Sequence, residues 1–146
     1  MAAPGAAAVL EEGKGLAGVE GVTGIGGVFV RSRDPKALLE WYQRHLGIEP
    51  APDFVGQVFR WGNDPAGPEG TTTWAIFPAD TGYFGSTGAP FMLNFRVRDL
   101  GRMLEQLRAG GVEVGDGVQD TEFGRFGWAV DPEGRRFELW QPAPGL

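Results

Sequence analysis

Three polar side chains fall on short apolar segments of the second half of the chain, where they could meet. Asn94 and Arg96 lie in FMLNFRV, and Glu138 lies in RRFELWQP. A carboxylate can act as a general base next to a carbonyl, and an arginine or an amide can stabilise the anion that forms. The same groups could instead bind a ligand, or Glu138 and Arg96 could form a structural ion pair, because a buried carboxylate requires a partner. The sequence alone leaves these alternatives open.

Alternation along the apolar segments indicates which side chains surround these polar groups. In a strand, every second side chain points to the same face. Aromatic walls with a few convergent polar groups are the usual composition of a small-molecule site. The candidates for ligand contact on one concave face are Phe29, Trp74, Met92, Asn94, Arg96, Glu138 and Trp140. Tyr83 is added because it lies on a glycine-rich connection, which could cover the mouth of a cavity or could be a linker anchored by aromatic residues.

The elements that position these residues occur twice. FRWGNDP at residues 59–65 and FGWAVDP at residues 126–132 share four of their seven positions. Asp34 and Asp99, each of which is placed to cap a helix, are 65 residues apart. Collinear matches in matching element types are the signature of an internal repeat. The chain is therefore predicted to contain two copies of one folding unit.

Both copies begin with a strand that is followed by a helix. RDPKALLEWYQRHLGI has an aspartate at the N-cap, a proline in the first turn and a glycine at the end of an amphipathic pattern. LGRMLEQLRAGG repeats that pattern after Asp99. Two or three strands then follow in each copy. The predicted fold is α+β, with units at about residues 25–82 and 91–142 in one domain (23–142), an N-terminal extension (1–22) and a tail (143–146).

Composition limits the function. The chain has 146 residues, a net charge of −6 and no cysteine. An acidic chain is a poor partner for nucleic acid, whose phosphates require a basic face. The lack of cysteine excludes disulfides, thiolate metal ligands and a cysteine nucleophile. No apolar run approaches the length of a membrane span, and the start does not resemble a signal peptide, so we expect a cytoplasmic protein.

The duplicated strand–helix–strand–strand–strand unit resembles that of the vicinal-oxygen-chelate superfamily, which includes glyoxalases, bleomycin resistance proteins and extradiol dioxygenases. The resemblance covers about residues 25–142 and is strongest in VFVRSRDPKALLEWYQRHLGI and FGRFGWAVDPEGRRFELWQP. It implies two tandem βαβββ units that form a half-open, barrel-like mixed sheet around a shared cavity. It also implies a homodimer and a divalent metal held by residues of the first and last strands.

The chain departs from this family at the metal positions. Counting seven residues back from each predicted helix N-cap gives Gly27 and Met92, and the last-strand positions are Trp74 and Glu138. Only Glu138 suits a hard or borderline divalent ion, whereas a catalytic zinc site normally has three protein ligands. The single histidine, His45, belongs to the first predicted helix, away from the concave face. We therefore predict no metal at these positions and no cofactor.

Three functions remain. The first is a small-molecule-binding protein that resembles the bleomycin-binding branch, has a degenerate metal site and takes an aromatic or cationic ligand. The second is a lyase, isomerase or dioxygenase of the superfamily that uses Glu138 as general base or as a last metal ligand. The third is a dimer without a ligand. An arginine next to Glu138 would lower the pKa of that carboxyl, and this expectation favours binding over catalysis.

Overall fold

The computed structural model describes residues 18–63, 70–85 and 88–146. Most of the predicted N-terminal extension and the turn after Asn63 lie outside the described residues. The strands are β1 (Val22–Ser32), β2 (Gly56–Arg60), β3 (Thr71–Pro78), β4 (Phe91–Val97), β5 (Gln119–Thr121), β6 (Gly124–Val130) and β7 (Arg136–Pro142). The helices are α1 (Pro35–Leu46) and α2 (Leu100–Ala109), with a 3₁₀ turn at Trp61–Asn63.

The strands form one mixed sheet in the order β2-β3-β1-β4-β7-β6-β5. In each unit the first strand pairs in parallel with the last strand, β1 with β3 and β4 with β7. The two units join through the antiparallel pair β1–β4 at the centre. Within the described residues the first unit has three strands and the second has four. The predicted α+β half-barrel of two tandem units is confirmed.

Both helices begin and end where the sequence predicts. The side chain of Asp34 accepts a hydrogen bond from the Ala37 amide, and that of Asp99 accepts one from the Arg102 amide. Gly47 ends α1 in the left-handed conformation, with φ of 67°, which glycine adopts without a steric penalty. Local capping chemistry therefore determines where the chain enters and leaves each helix.

The sheet has an apolar cluster on each face. On the α2 side, α2 packs on the second unit through five buried residues, Val97, Leu100, Met103, Leu104 and Leu139. On the opposite, concave face, the buried cluster consists of Phe29, Ala75, Phe84 and Met92. No helix in the described part of the chain is both long and apolar enough to cross a membrane.

The residues before β1 contact the second unit. The carboxylate of Glu20 forms ion pairs with Arg98 and Arg102, at 3.0 and 3.3 Å, and is almost fully buried. The Glu20 amide donates to Gln106 Oε1, whose amide group donates back to the Glu20 carbonyl. This short stretch of the predicted extension is therefore attached to α2.

Candidate functional site

The concave face of the sheet encloses a cavity of about 470 Å³, a size that suits a small organic molecule. Its walls are mainly aromatic, and Glu138 is the one residue with a charged side chain among the described residues that line it. The lining residues are Phe29, Phe54, Val58, Thr73, Ala75, Phe77, Tyr83, Asn94, Gln119, Thr121, Phe123, Phe126, Glu138, Trp140 and Leu146. Five of the eight predicted ligand-contact residues are in this set: Phe29, Tyr83, Asn94, Glu138 and Trp140.

Glu138 lies at the centre of a polar cluster on adjacent strands. Asn94 and Glu138 are direct partners in the parallel pairing of β4 and β7. Asn94 Nδ2 donates to Glu138 Oε1 at 2.6 Å, and the Tyr83 hydroxyl donates to Glu138 Oε2. Asn94 and Glu138 are 2% and 4% exposed, so both groups lie within the cavity wall. The cluster therefore offers one carboxylate that is flanked by two hydrogen-bond donors.

Burial controls the protonation of this cluster. Removal of the carboxylate from water raises the pKa of Glu138 to about 7, although the hydrogen bonds from Tyr83 and Asn94 oppose this shift. Burial and the nearby Glu138 also raise the pKa of Tyr83, so its phenol is a neutral donor at physiological pH. The carboxyl group is thus poised between its acid and base forms near neutrality.

Arg96 does not accompany Glu138, which corrects the predicted pair. Arg96 Nη1 donates to the carbonyl and the hydroxyl of Thr71, at 3.1 and 3.2 Å, and Nη2 donates to the main-chain oxygen of Leu146 at 2.9 Å. Arg96 lies two residues beyond Asn94 on β4, so it leaves the same face of the sheet but beside Trp140, its β7 partner, and it is not a lining residue of the cavity. The expectation that an arginine lowers the pKa of Glu138 was wrong, since burial dominates and raises it.

Trp74 is not in the cavity, contrary to the prediction. Parallel pairing places Phe29 beside Ala75, so Ala75 shares the concave face and Trp74 takes the opposite one. The Trp74 ring there packs edge-on against Tyr42 of α1, at 4.7 Å between centroids. The predicted register of β3 was one residue out, and a one-residue slip moves every side chain to the other face.

Met92 is on the predicted face but lies beneath the cavity. It is 1% exposed and packs with Phe29 and Phe84. Phe84, from the described part of the connection between the units, is also 1% exposed and belongs to the same cluster. Met92 therefore supports the lining from below and does not contact the enclosed space.

Tyr83 is held in place by groups from both units. Its ring stacks on Phe77 at 5.8 Å, and its carbonyl accepts from Arg136 Nη1 at 3.1 Å. Arg31 donates to the carbonyls of Ala79 and Thr81 in the same connection. Tyr83 therefore lines the cavity, and its hydroxyl reaches the Glu138 carboxylate of the second unit.

Sequence alternation could not identify the rest of the lining. Phe54 and Phe123 come from loops, and Leu146 comes from the tail. Gln119 and Thr121 belong to β5, a three-residue strand too short to show a pattern. Phe126 could have been predicted from the sequence, because it faces the same side as Trp140, its partner on β7.

Gly26 is the β1 residue that allows the polar cluster to form. The β1–β4 pairing is irregular between Ile25 and Gly27, which leaves Gly26 as a bulge. A Cβ atom at Gly26 would overlap Asn94 Oδ1 and would lie 2.9 Å from the Trp140 ring. A Cβ at Gly24, two residues earlier, would be 3.9 Å from its nearest neighbours. The close approach of Asn94 to β1 therefore requires glycine at this one position.

Replacing Gly26 by alanine is expected to lower the free energy of unfolding by about 1–3 kcal/mol, because the new methyl group must push Asn94 and Trp140 aside. Gly24→Ala is the matched control on the same strand and should change stability by less than about 1 kcal/mol. Urea denaturation of both variants measures the difference. Equal stability of the two variants would contradict the close packing at Gly26.

The polar cluster does not fit the divalent metal that the family resemblance implies. Glu138 is the one anionic side chain of the cluster, and Asn94 turns its amide nitrogen, a donor, towards it. No group of three His, Cys, Asp or Glu residues within the described ranges could hold a metal ion. A catalytic divalent site usually has three such ligands.

Comparisons with known proteins agree with this architecture. Methylmalonyl-CoA epimerase from Mycobacterium tuberculosis has a TM-score of 0.59 and 22% identity, covering 90% of this chain and 95% of that chain. The Streptomyces coelicolor methylmalonyl-CoA epimerase, in complex with 2-nitronate-propionyl-CoA, has a TM-score of 0.64 and 18% identity, covering 84% and 99%. A Legionella pneumophila structure named as an NAD-dependent benzaldehyde dehydrogenase has a TM-score of 0.52 and 18% identity, covering 80% and 98%. At these identities the likeness shows the fold alone.

No curated protein sequence matches the chain. The family model described as Glyoxalase/Bleomycin resistance protein/Dioxygenase superfamily matches residues 24–139, which span most of both units and end one residue after Glu138. The match spans most of the chain and coincides with the duplicated half-barrel. The chain therefore belongs to the Glyoxalase/Bleomycin resistance protein/Dioxygenase superfamily.

Proposed function

We propose that the protein binds a small aromatic or cationic molecule in the concave cavity, with Glu138 as the polar anchor and without a metal ion. The observation that carries this proposal is the position of Glu138, a buried carboxylate with a pKa of about 7 in a cavity with aromatic walls. A strongly perturbed carboxyl group in a cleft marks a candidate functional site. In this proposal, the positions at which the family resemblance implies metal ligands no longer carry a complete set of them.

The walls and the carboxylate favour the same class of ligand. Phe126 and Trp140 stack in parallel at 6.0 Å, and Phe29 and Phe77 add further rings. Aromatic faces attract flat rings and cations, and a cation paired with Glu138 would relieve the cost of burying its charge. A ligand with a ring and one ammonium group satisfies both requirements.

Binding of 2-phenylethylamine is expected to tighten about tenfold between pH 6 and pH 8. The ammonium group pairs with the ionised form of Glu138, and a carboxyl with a pKa of about 7 is mostly protonated at pH 6 and mostly ionised at pH 8. Isothermal titration calorimetry measures the affinities. The neutral analogue 2-phenylethanol should show no such tightening, and Glu138→Gln should abolish it for the amine. Amine affinities that are equal at both pH values and in the variant would contradict the proposal.

A second candidate function is proton transfer next to a carbonyl group, and the near-neutral pKa of Glu138 favours it. The ionised carboxylate would take a proton from the carbon, and the electrons of the C–H bond would form an enolate. The Tyr83 hydroxyl and Asn94 Nδ2 donate to the Glu138 carboxylate in this structure. Once Glu138 has taken the proton and lost its charge, these two donors could turn to the enolate oxygen. The epimerase names of two structural neighbours are compatible with this chemistry.

Deuterium exchange separates the two functions. The substrate is 4-phenylbutan-2-one in D₂O. If the protein catalyses proton transfer, the proton NMR signals of the carbon atoms next to the carbonyl should disappear much faster with the protein than in buffer alone. Glu138→Gln should then reduce the rate at least about 100-fold while 2-phenylethanol still binds. Exchange at the buffer rate with the wild-type protein would rule out the enzyme candidate for this ketone class and leave the binding function in place.

We also propose that the protein is a cytoplasmic homodimer. Large apolar side chains are exposed at several places, among them Ile25 and Phe59, each with 42% exposure. A second subunit that covers such side chains would remove apolar surface from water, which favours association. Sedimentation equilibrium should give twice the chain mass of 15.7 kDa, and a monomer throughout the micromolar range would contradict the dimer.

A further inference from the structure

A second cavity of about 320 Å³ adjoins the cavity around Glu138. The described residues that line it are Tyr83, Gly117, Val118, Gln119, Phe126, Gly127 and Trp128. Three of these, Tyr83, Gln119 and Phe126, also line the first cavity, so the two spaces meet at this boundary. A cavity of about 150 Å³ is enough to hold a benzene molecule, so the second cavity has room for an aromatic ring.

The pairing of β6 with β7 brings the second cavity close to the buried carboxylate. Trp128, which lines the second cavity, is the direct partner of Glu138, which lines the first. Directly opposed side chains of an antiparallel pair have Cβ atoms about 4.5–5.5 Å apart. A ligand group at the Glu138 carboxylate is therefore one short link away from the Trp128 ring.

The aromatic pair in the first cavity is further from Glu138 along the same strands. Phe126 and Trp140 are also direct partners, two residues along β6 and β7 from Trp128 and Glu138. At about 3.3 Å per residue, the two pairs are about 7 Å apart. A group at Glu138 thus has an aromatic site on each side, a nearer one at Trp128 and a more distant one at Phe126 and Trp140.

Tyr83 is the part of the boundary that a cationic ligand can displace. It belongs to a loop, whereas Gln119 and Phe126 belong to strands. Its hydroxyl donates to Glu138 Oε2, and an ammonium group bound to Glu138 can replace this donor. Arg136 holds the Tyr83 carbonyl, so the main chain can stay in place while the side chain turns. The same ammonium group would then pair with the carboxylate and widen the passage between the cavities.

Trp128 is held as a platform, and its surroundings determine the charge of the group that it can accept. The guanidinium of Arg136 lies over its ring, at 3.9 Å from the centroid. A Cβ atom at Gly115 would lie 2.5 Å from the ring, so the main chain also packs closely against the indole. Because a cation already lies on Trp128, a second ammonium group there would be repelled. An uncharged aromatic ring suits this position.

We propose that the second cavity binds a second aromatic ring of the ligand, and that the ligand class is a secondary amine with its ammonium group at Glu138 and one ring in each cavity. This inference rests on the proposed binding function. The ring at Phe126 and Trp140 would be attached through two carbons, and the ring at Trp128 through one.

The test compares N-benzyl-2-phenylethylamine with N-methyl-2-phenylethylamine by isothermal titration calorimetry at pH 8. The two compounds share the phenylethyl group and the secondary amine and differ in the second ring. The benzyl compound should bind at least tenfold more tightly. Trp128→Leu should reduce this preference below threefold and leave the affinity for the methyl compound within twofold. Trp41→Leu, at a tryptophan that is 49% exposed on α1, is the matched control and should change neither affinity.

A readout on the wild-type protein keeps the test decisive if Trp128→Leu does not fold. The NMR signal of the Trp128 indole N–H should shift on saturation with the benzyl compound and should stay in place with the methyl compound. Equal affinities for the two amines, a preference that survives in Trp128→Leu, or an unmoved indole signal would overturn the second ring site. If the methyl compound still binds in a Glu138-dependent way, the proposed function stands without it. If neither amine binds, both proposals are wrong.

Discussion

Replacing Glu138 by glutamine is expected to raise the free energy of unfolding at pH 8 by about 3 kcal/mol. The carboxyl has a pKa of about 7 in the folded protein and about 4.5 as a free group, and each pKa unit corresponds to about 1.4 kcal/mol. At pH values between 4.5 and 7, Glu138 keeps its proton in the folded chain and has lost it in the unfolded chain. The stability of the wild-type protein therefore falls as pH rises from 4.5 to 7 and is constant above. Glutamine resembles the protonated form and avoids this loss.

Urea denaturation at pH 4.5, 6 and 8 measures this effect. The two proteins should be nearly equally stable at pH 4.5, and the difference should grow to its full value at pH 8. Glu105→Gln, on the exposed face of α2, is the control and should follow the wild-type pH dependence. A variant that is destabilised to the same extent at every pH would mean that the carboxylate is structural. A gain at pH 8 would instead show that the fold retains Glu138 at a cost to stability, as expected for a functional group.

Phe84→Ala is expected to lower the free energy of unfolding by about 3–5 kcal/mol, because it leaves a cavity beneath the connection between the units. Phe84 is 1% exposed, contacts the Phe77 ring and lies under the guanidinium of Arg31, at 4.7 Å. Phe91, near the other end of the same connection, is 51% exposed and is the matched control. Phe91→Ala should cost less than about 1 kcal/mol.

The same variant tests how Tyr83 reaches Glu138. Tyr83 precedes Phe84, so loss of the buried ring should free the tyrosine and remove its hydrogen bond to the carboxylate. Affinity for 2-phenylethanol should fall in Phe84→Ala and remain unchanged in Phe91→Ala, as measured by calorimetry at a temperature where both variants are folded. Equal stability of the two variants would contradict the role of Phe84 as the anchor of this segment.

Much of the architecture was predictable because it depends on local chemistry that occurs twice. The caps at Asp34 and Asp99 fix the helix starts, and apolar alternation marks the strands. The spacing of the repeat then implies that the units are equivalent, and the sheet order shows that they are. Phe29, Asn94, Glu138 and Trp140 were placed correctly because alternation within one strand needs no knowledge of its neighbours.

The remaining errors arise where position depends on pairing or on loops. Trp74 was assigned to the concave face through the proline that ends its strand, but the pairing of β3 with β1 decides the face, and that pairing is not local. Arg96 was paired with Glu138 because both were expected in one place. Tyr83 lies next to the carboxylate instead. It belongs to a loop, and sequence periodicity does not predict the path of a loop. The pKa of Glu138 then moved opposite to the expected direction.

The ionisation of Glu138 is the property to measure first, because the proposed ligand class, the candidate chemistry and the stability prediction all depend on it. The carbon-13 NMR signal of the Glu138 carboxyl carbon, assigned by its absence in Glu138→Gln, can be followed from pH 4 to pH 9. We expect a titration midpoint near pH 7. A midpoint near pH 4.5 would contradict it, because that value belongs to a carboxylate in contact with water.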